Sequence, residues 1–132
     1  MNIGQLLSMT GIVLLFLTSV LHLVKGYPRL SGAIKTGKVN LPSFSPDTRQ
    51  IMSYEELQAT WLSFGIHLLI LSAILFLIVT GTLEGSRVLT IVLAFIPISD
   101  AVLMKFKIKS LHAGVPFLAL AGILVLVGQV IM

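Results

Sequence analysis

The sequence predicts an all-α integral membrane protein, a single domain (residues 1–132) built as a bundle of four transmembrane helices. Hydrophobic residues make up 56% of the chain and charged residues only 11%, whereas soluble proteins carry about 25% charge. The apolar residues also fall into four runs, at about 3–24, 59–80, 88–104 and 111–132. Each run is close to the ~20 residues that cross a bilayer as a helix. Backbone groups in lipid must hydrogen-bond within their own segment, so runs of this length form helices.

The first run is interpreted as a retained span rather than a cleaved signal peptide. Residues 1–5 contain no Lys or Arg, and the apolar core that follows is longer than that of a signal peptide. No small-x-small cleavage site follows it.

The basic residues predict the orientation. Only Arg87 falls outside the predicted first and third loops, 25–58 and 105–110. Those two loops hold the other eight: Lys25, Arg29, Lys35, Lys38, Arg49, Lys105, Lys107 and Lys109. Cytoplasmic loops carry the excess of Lys and Arg. We therefore expect both termini on the non-cytoplasmic side of an inner (plasma) membrane. Nucleic acid is not an expected partner, because the +4 net charge is not interleaved with aromatic residues.

The cytoplasmic loop 25–58 is expected to begin as irregular chain, since three Pro and two Gly interrupt residues 27–47. Near its end, Ser53 and Glu56 have the spacing of a capping box, which predicts that the second helix begins there. Trp61 then falls near the membrane interface, where indole rings are favoured.

Small residues recur every seven positions in the first and fourth spans. The two sets are Gly4, Gly11, Thr18 and Gly114, Ala121, Gly128. Seven residues are close to two helical turns, so each set lies on one face. Small residues let helix backbones approach each other in lipid. We predict that the two faces are packing seams, against each other or against another chain in a homo-oligomer or larger membrane complex.

Ionisable side chains within spans are candidate functional groups, because hydrocarbon makes them costly. Five lie in or near the predicted cytoplasmic half: His22, Glu56, His67, Asp100 and His112. Each also has a structural explanation. Glu56 is explained by helix capping, His67 by a hydrogen bond between helices, and the other two histidines by solvation at the interface.

Asp100 is the most informative of these residues. None of its neighbours three or four positions away is a cation, so it has no partner on its own helix. Three arrangements stay open: the carboxyl is protonated, it faces water at the cytoplasmic rim, or it pairs across the bundle. The partners considered are His22, Lys25 and His112, which would form a polar cluster between the first, third and fourth spans.

The motifs of common membrane chemistry are missing from the sequence. The chain has no Cys, which excludes disulfides and thiolate metal sites. Glu-x-x-His and His-x-x-x-His spacings, the G-x-S-x-G elbow and phosphate-binding glycine loops are absent too. A haem with two axial histidines, His22 with His112 or His22 with His67, is permitted by depth alone.

The sequence therefore favours a non-catalytic protein over an enzyme. It would be an accessory or assembly subunit, or a binder of a small apolar molecule or lipid, with the bilayer as partner and no cofactor expected. The alternative is an embedded haem or metal site, or a small enzyme, built from the histidines and Asp100. An oligomeric small-molecule transporter is less favoured, because the first span contains no acid and the strong Lys/Arg bias opposes dual insertion.

Overall fold

The computed structural model describes residues 2–37, 54–108 and 114–132, and these are almost entirely helical, with no strand among them. In chain order the elements are α1 (Ile3–Leu21), a π-helical turn (His22–Gly26), α2 (Tyr27–Lys35), α3 (Tyr54–Val79), α4 (Arg87–Ile108) and α5 (Gly114–Ile131). Four helical stretches are long and apolar enough to cross a membrane. The predicted all-α, four-span membrane bundle is confirmed.

The start of the predicted irregular loop is helical, which corrects the expectation from sequence. The chain continues from α1 through the π-helical turn and α2, so one helix runs over the 33 residues Ile3–Lys35. Pro28 is tolerated because it stands in the first turn of α2. The π-helical turn lies where Pro28 removes the N–H that would bond the Val24 carbonyl. At about 1.5 Å per residue this helix is about 50 Å long, more than the ~30 Å of hydrocarbon.

Two of the helices begin at capping patterns in the sequence. α3 begins at Tyr54, as the Ser53–Glu56 pattern predicted, although Ser53 and the Glu56 side chain lie outside the described residues. A second capping box, not predicted from the sequence, opens α1. The Gln5 N–H donates to Asn2 Oδ1 at 2.8 Å, and the Asn2 N–H donates to Gln5 Oε1 at 3.0 Å. Donors left unbonded at a helix start are thereby satisfied.

α5 is the central helix of the bundle. It packs most extensively against α1 and then against α4, while α3 packs mainly against α1 and makes little contact with α4. The interior is filled by large apolar side chains from several helices. The most deeply buried of them are Leu15, Leu68, Leu75, Leu118 and Val125. Apolar residues on the outer faces stay exposed, which suits a surface that meets lipid.

The two predicted seams pack against each other, so α1 and α5 run antiparallel. A Cβ added at Gly128 would lie 2.6 Å from the Gly4 carbonyl oxygen, and one added at Gly11 would lie 2.6 Å from the Ala121 carbonyl oxygen. Gln129 Nε2 donates to Ser8 Oγ at 3.2 Å beside these contacts, and both side chains are buried. The seams are occupied within one chain, so an oligomer would have to use other surfaces.

A second close contact, between α5 and α4, was not predicted from the sequence. A Cβ at Gly122 would lie 2.7 Å from the Ala94 carbonyl oxygen and 3.1 Å from the Pro97 ring. Pro97 stands inside α4 and is fully buried. α5 therefore presents small residues to neighbours on two sides, and this is why it can occupy the centre.

The seam makes a sharp prediction for Gly128→Ala. The added methyl would meet the backbone of α1, which cannot move as a flexible side chain would. We expect a loss of about 1–3 kcal/mol in unfolding free energy, the usual range for overpacking, measured by denaturation in detergent. Gly32→Ala is the matched control, since a Cβ there meets nothing within 4 Å, and it should stabilise its helix by up to about 1 kcal/mol. Equal unfolding free energies of the two variants would contradict the close packing of α5 on α1 at Gly128.

Candidate functional site

The seam between α1 and α5 opens into a cleft where α5 begins. Thr18 ends the small-residue set of α1 and Gly114 begins that of α5. Both residues line an opening of about 470 Å³. The first helix continues beyond this point as the π-helical turn and α2. The α1 face packs on α5 between Gly4 and Gly11. After Thr18, the continuation of this face has no described α5 residue opposite it. We call this opening the Trp61 cleft.

Three parts of the chain form the Trp61 cleft. The first helix supplies residues three or four positions apart, which is the spacing of one helical face: Thr18, Leu21, His22, Lys25, Gly26, Arg29 and Leu30. Trp61 comes from α3, and Gly114 and Phe117 come from α5. The walls are therefore mainly apolar and aromatic, with charged groups towards α2.

His22 is held in place by α3. Its ring stacks on the Trp61 indole, with the centroids 4.3 Å apart and the planes inclined by 13°. The ring also meets Phe64 edge-on at 5.3 Å. His22 Nε2 lies 3.2 Å from the Trp61 carbonyl oxygen. A carbonyl oxygen only accepts hydrogen bonds, so Nε2 carries a proton and donates it. The imidazole orientation is thus fixed by three contacts with one helix.

Two glycines permit these contacts, and neither was predicted from the sequence as part of a site. A Cβ at Gly26 would lie 3.2 Å from the indole Nε1, and one at Gly65 would lie 3.1 Å from His22 Cδ2. Glycine inside a helix is unfavourable, and it often marks a close approach. That signal was present in the sequence at both positions. It did not identify the approaching side chains, because Trp61 is far from Gly26 along the chain and His22 is far from Gly65.

Lys25 and Arg29 stand at the end of the cleft nearest α2. They are one helical turn apart, and both are exposed. The apolar run before Lys25 rises about 33 Å at helical geometry, close to the ~30 Å of hydrocarbon. With this run placed in the hydrocarbon, the two cations would reach the depth of lipid head groups. Leu21 and Phe117, which also line the cleft, are 54% and 49% exposed, so its apolar side opens towards the bilayer.

Asp100 is placed elsewhere, between α4 and α3. Its Oδ2 is buried with no hydrogen-bond partner among the described residues. His67 on α3 lies within electrostatic range of this carboxyl. His67 lines a separate, open depression with Thr60 and Ser63.

Pairing of Asp100 with His22 or Lys25, one of the three arrangements that the sequence left open, is not seen among the described residues. α4 packs on α5 and touches α3, whereas His22 faces the junction of α1 and α3. The third expected partner, His112, lies outside the described residues, as does the Glu56 side chain.

The predicted site residues do not form one centre in the part of the chain that is described. His22 belongs to the Trp61 cleft, while His67 and Asp100 belong to the junction of α3 and α4. No group of three or more His, Asp or Glu residues able to hold a metal ion is found within 2–37, 54–108 and 114–132. His22 and His67 line different openings, and the other histidine pair considered for a haem includes His112, which lies outside the described residues.

The interaction of His67 with Asp100 predicts thermodynamic coupling between them. We expect Asp100→Asn and His67→Gln to be non-additive in unfolding free energy, with a coupling of about 0.5–1 kcal/mol, measured by denaturation of the four proteins of a double-mutant cycle in detergent. The control cycle replaces His67→Gln by His22→Gln and should be additive. Stronger coupling of Asp100 to His22 than to His67 would contradict the location of Asp100 between α4 and α3.

Comparison with known proteins leaves the site to be interpreted from its own geometry. No protein-family model, no curated protein and no solved structure matches the chain. The functional argument therefore rests on the Trp61 cleft and its residues.

Proposed function

We propose that this chain is a non-catalytic membrane protein that binds a lipid or another small amphiphile in the Trp61 cleft. The observation that carries the proposal is the opening of this cleft towards the bilayer past Leu21 and Phe117. Its volume, about 470 Å³, lies within the range of about 300–1,000 Å³ typical of small-molecule sites. A ligand dissolved in the membrane would reach it sideways without crossing water.

Rigid walls support a binding role. Small-molecule sites are usually formed before the ligand arrives and are lined by apolar and aromatic groups with a few polar ones. Here the stacked rings of His22 and Trp61, the edge contact of Phe64 and the close approach at Gly26 fix one wall. The seam contacts of Gly11 with α5 fix the adjoining wall.

The polar groups of the cleft support binding rather than catalysis. The Thr18 hydroxyl donates to the Leu14 carbonyl at 2.8 Å, and His22 Nε2 is engaged by the Trp61 carbonyl. A nucleophile beside a general base is the signature of covalent catalysis. Such a pair is not found among the described residues that line the cleft, and neither is a carboxylate.

The proposal includes location and orientation. The four spans make the chain a multi-pass membrane protein, and the Lys and Arg bias favours an inner (plasma) membrane with α2 on the cytoplasmic side. The Trp61 cleft then opens into the cytoplasmic leaflet.

Trp61 is the only tryptophan of the chain, so its fluorescence reports the cleft directly. We expect amphiphiles with brominated acyl chains to quench Trp61 saturably in detergent, because bromine quenches on contact. An unbrominated amphiphile with the same head group should compete. Quenching that rises linearly without saturation, or without competition, would indicate general contact with lipid and would contradict a site.

Two threonines provide a matched pair of variants for this titration. Thr18→Phe fills the cleft and should weaken binding by about tenfold. Thr10→Phe is the control, because Thr10 makes the same hydrogen bond, donating to the carbonyl four residues earlier at 2.9 Å, but lies exposed away from the cleft. Equal dissociation constants for the two variants would place the ligand outside the Trp61 cleft.

The orientation can be tested by labelling, since the chain has no natural Cys. Thr36→Cys, just after α2, and Thr82→Cys, between α3 and α4, are both at exposed positions. In intact bacterial cells, a membrane-impermeant maleimide should label Thr82→Cys at once and Thr36→Cys only after permeabilisation. The reverse pattern would overturn the proposed orientation.

A further inference from the structure

We propose that the Trp61 cleft selects amphiphiles whose head group is an oxyanion, a phosphate or a carboxylate, held by Lys25 and Arg29. This inference rests on the proposed binding function and adds the chemical class of the ligand. It follows from the order in which apolar and charged residues line one side of the cleft.

The two cations form a paired site rather than a scattered charge. Lys25 and Arg29 both line the cleft, four residues apart on one helical face. Like charges at this spacing repel each other and destabilise the helix slightly. The described side chains lining the cleft include no acid that would offset this repulsion. An anionic group in contact with both cations would offset this repulsion.

The chemistry of the two side chains favours an oxyanion. An Arg guanidinium offers N–H donors in a planar fork that matches the oxygens of phosphate and carboxylate. The Lys ammonium adds a compact charge with three donors. Both side chains are exposed, which leaves them the freedom to converge on a small head group. A cationic head group would be repelled by both side chains, and a neutral one would gain no charge-assisted hydrogen bond from them.

The position of the site along the helix matches the shape of an amphiphile. Leu21, one turn before Lys25, is apolar and exposed within the hydrocarbon depth, and Phe117 lies on the opposite wall. Lys25 and Arg29 follow at head-group depth. A ligand with its head at the cations thus directs its chain past Leu21 and Phe117 into the bilayer. Trp61 stands beside this path and reports its occupancy.

The test uses the purified full chain in an uncharged detergent, with Trp61 fluorescence as readout. Four amphiphiles carrying acyl chains brominated at the same positions are titrated: a fatty acid, phosphatidylglycerol, phosphatidylcholine and a neutral monoacylglycerol. We expect the two anionic amphiphiles to bind at least about tenfold more tightly than the zwitterionic and neutral ones, since hydrogen bonds to charged groups are the stronger ones. Rising salt should reduce the difference, because both cations are exposed.

The anionic arms identify the source of the oxyanion. Tighter binding of the fatty acid supports a carboxylate ligand, and tighter binding of phosphatidylglycerol supports a phosphodiester. Competition by inorganic phosphate alone would support the same contacts with a free ion. Equal binding of all four amphiphiles would overturn the head-group proposal while leaving the binding function intact. Absence of saturable quenching by any of them would overturn both.

Charge variants separate the paired site from the general charge of the protein. The double variant Lys25→Gln with Arg29→Gln should lower the affinity for the anionic amphiphiles by about tenfold, to the level of the neutral one. The control is Lys35→Gln with Lys105→Gln, which removes two exposed cations that do not line the cleft. An equal loss in both double variants would overturn the paired site, because it would reduce the effect to net charge.

Discussion

The close approach of α1 to α5 is the constraint on which the rest of the bundle depends. Apolar surfaces gain little by associating within lipid, so helix pairs there rely on tight packing and on hydrogen bonds between helices. At Gly4, Gly11 and Gly128 one backbone meets the other with no room for a methyl group. The buried bond between Ser8 and Gln129 adds a polar contact that hydrocarbon cannot replace. With α5 fixed in this way, Gly122 packs against α4. His22, in the π-helical turn after α1, packs against α3.

The Trp61 cleft is a consequence of the same constraint. The seven-residue repeat of α1 would reach Lys25 after Gly4, Gly11 and Thr18, and the described part of α5 starts at Gly114, which lines the cleft together with Thr18. Within the hydrocarbon this face must carry small residues, because another backbone lies against it. Beyond the hydrocarbon the face carries Lys25, because no described part of α5 covers it and head groups are near. One helical face thus changes from a packing surface to a lining of the cleft within two turns.

The spans and the seam could be predicted because both are local patterns. An apolar run and a repeat of seven are visible within one segment, whatever its neighbours. The partner of Asp100 was not predictable in this way, because it depends on the order of the helices around the bundle. The sequence allowed the α4 carboxylate to face any of three helices. α4 in fact packs on α5 and touches α3, which brings the Asp100 carboxyl within electrostatic range of His67. The contact of Gly26 with Trp61 is also non-local, and neither residue predicts it alone.

The helices pack more closely around His22 in the Trp61 cleft than around Asp100 between α3 and α4. This difference favours the Trp61 cleft as the candidate functional site. α3 makes little contact with α4 but packs well on α1, so its position depends on the contacts at His22 and Gly65. The His22 contacts also form one wall of the cleft, so the same side chain holds α3 and shapes the cleft. Asp100 and His67 instead lie on α4 and α3, which make little contact, and a carboxyl oxygen of Asp100 is buried without a described hydrogen-bond partner. A ligand site needs walls that hold their shape, and the described residues supply them around Trp61.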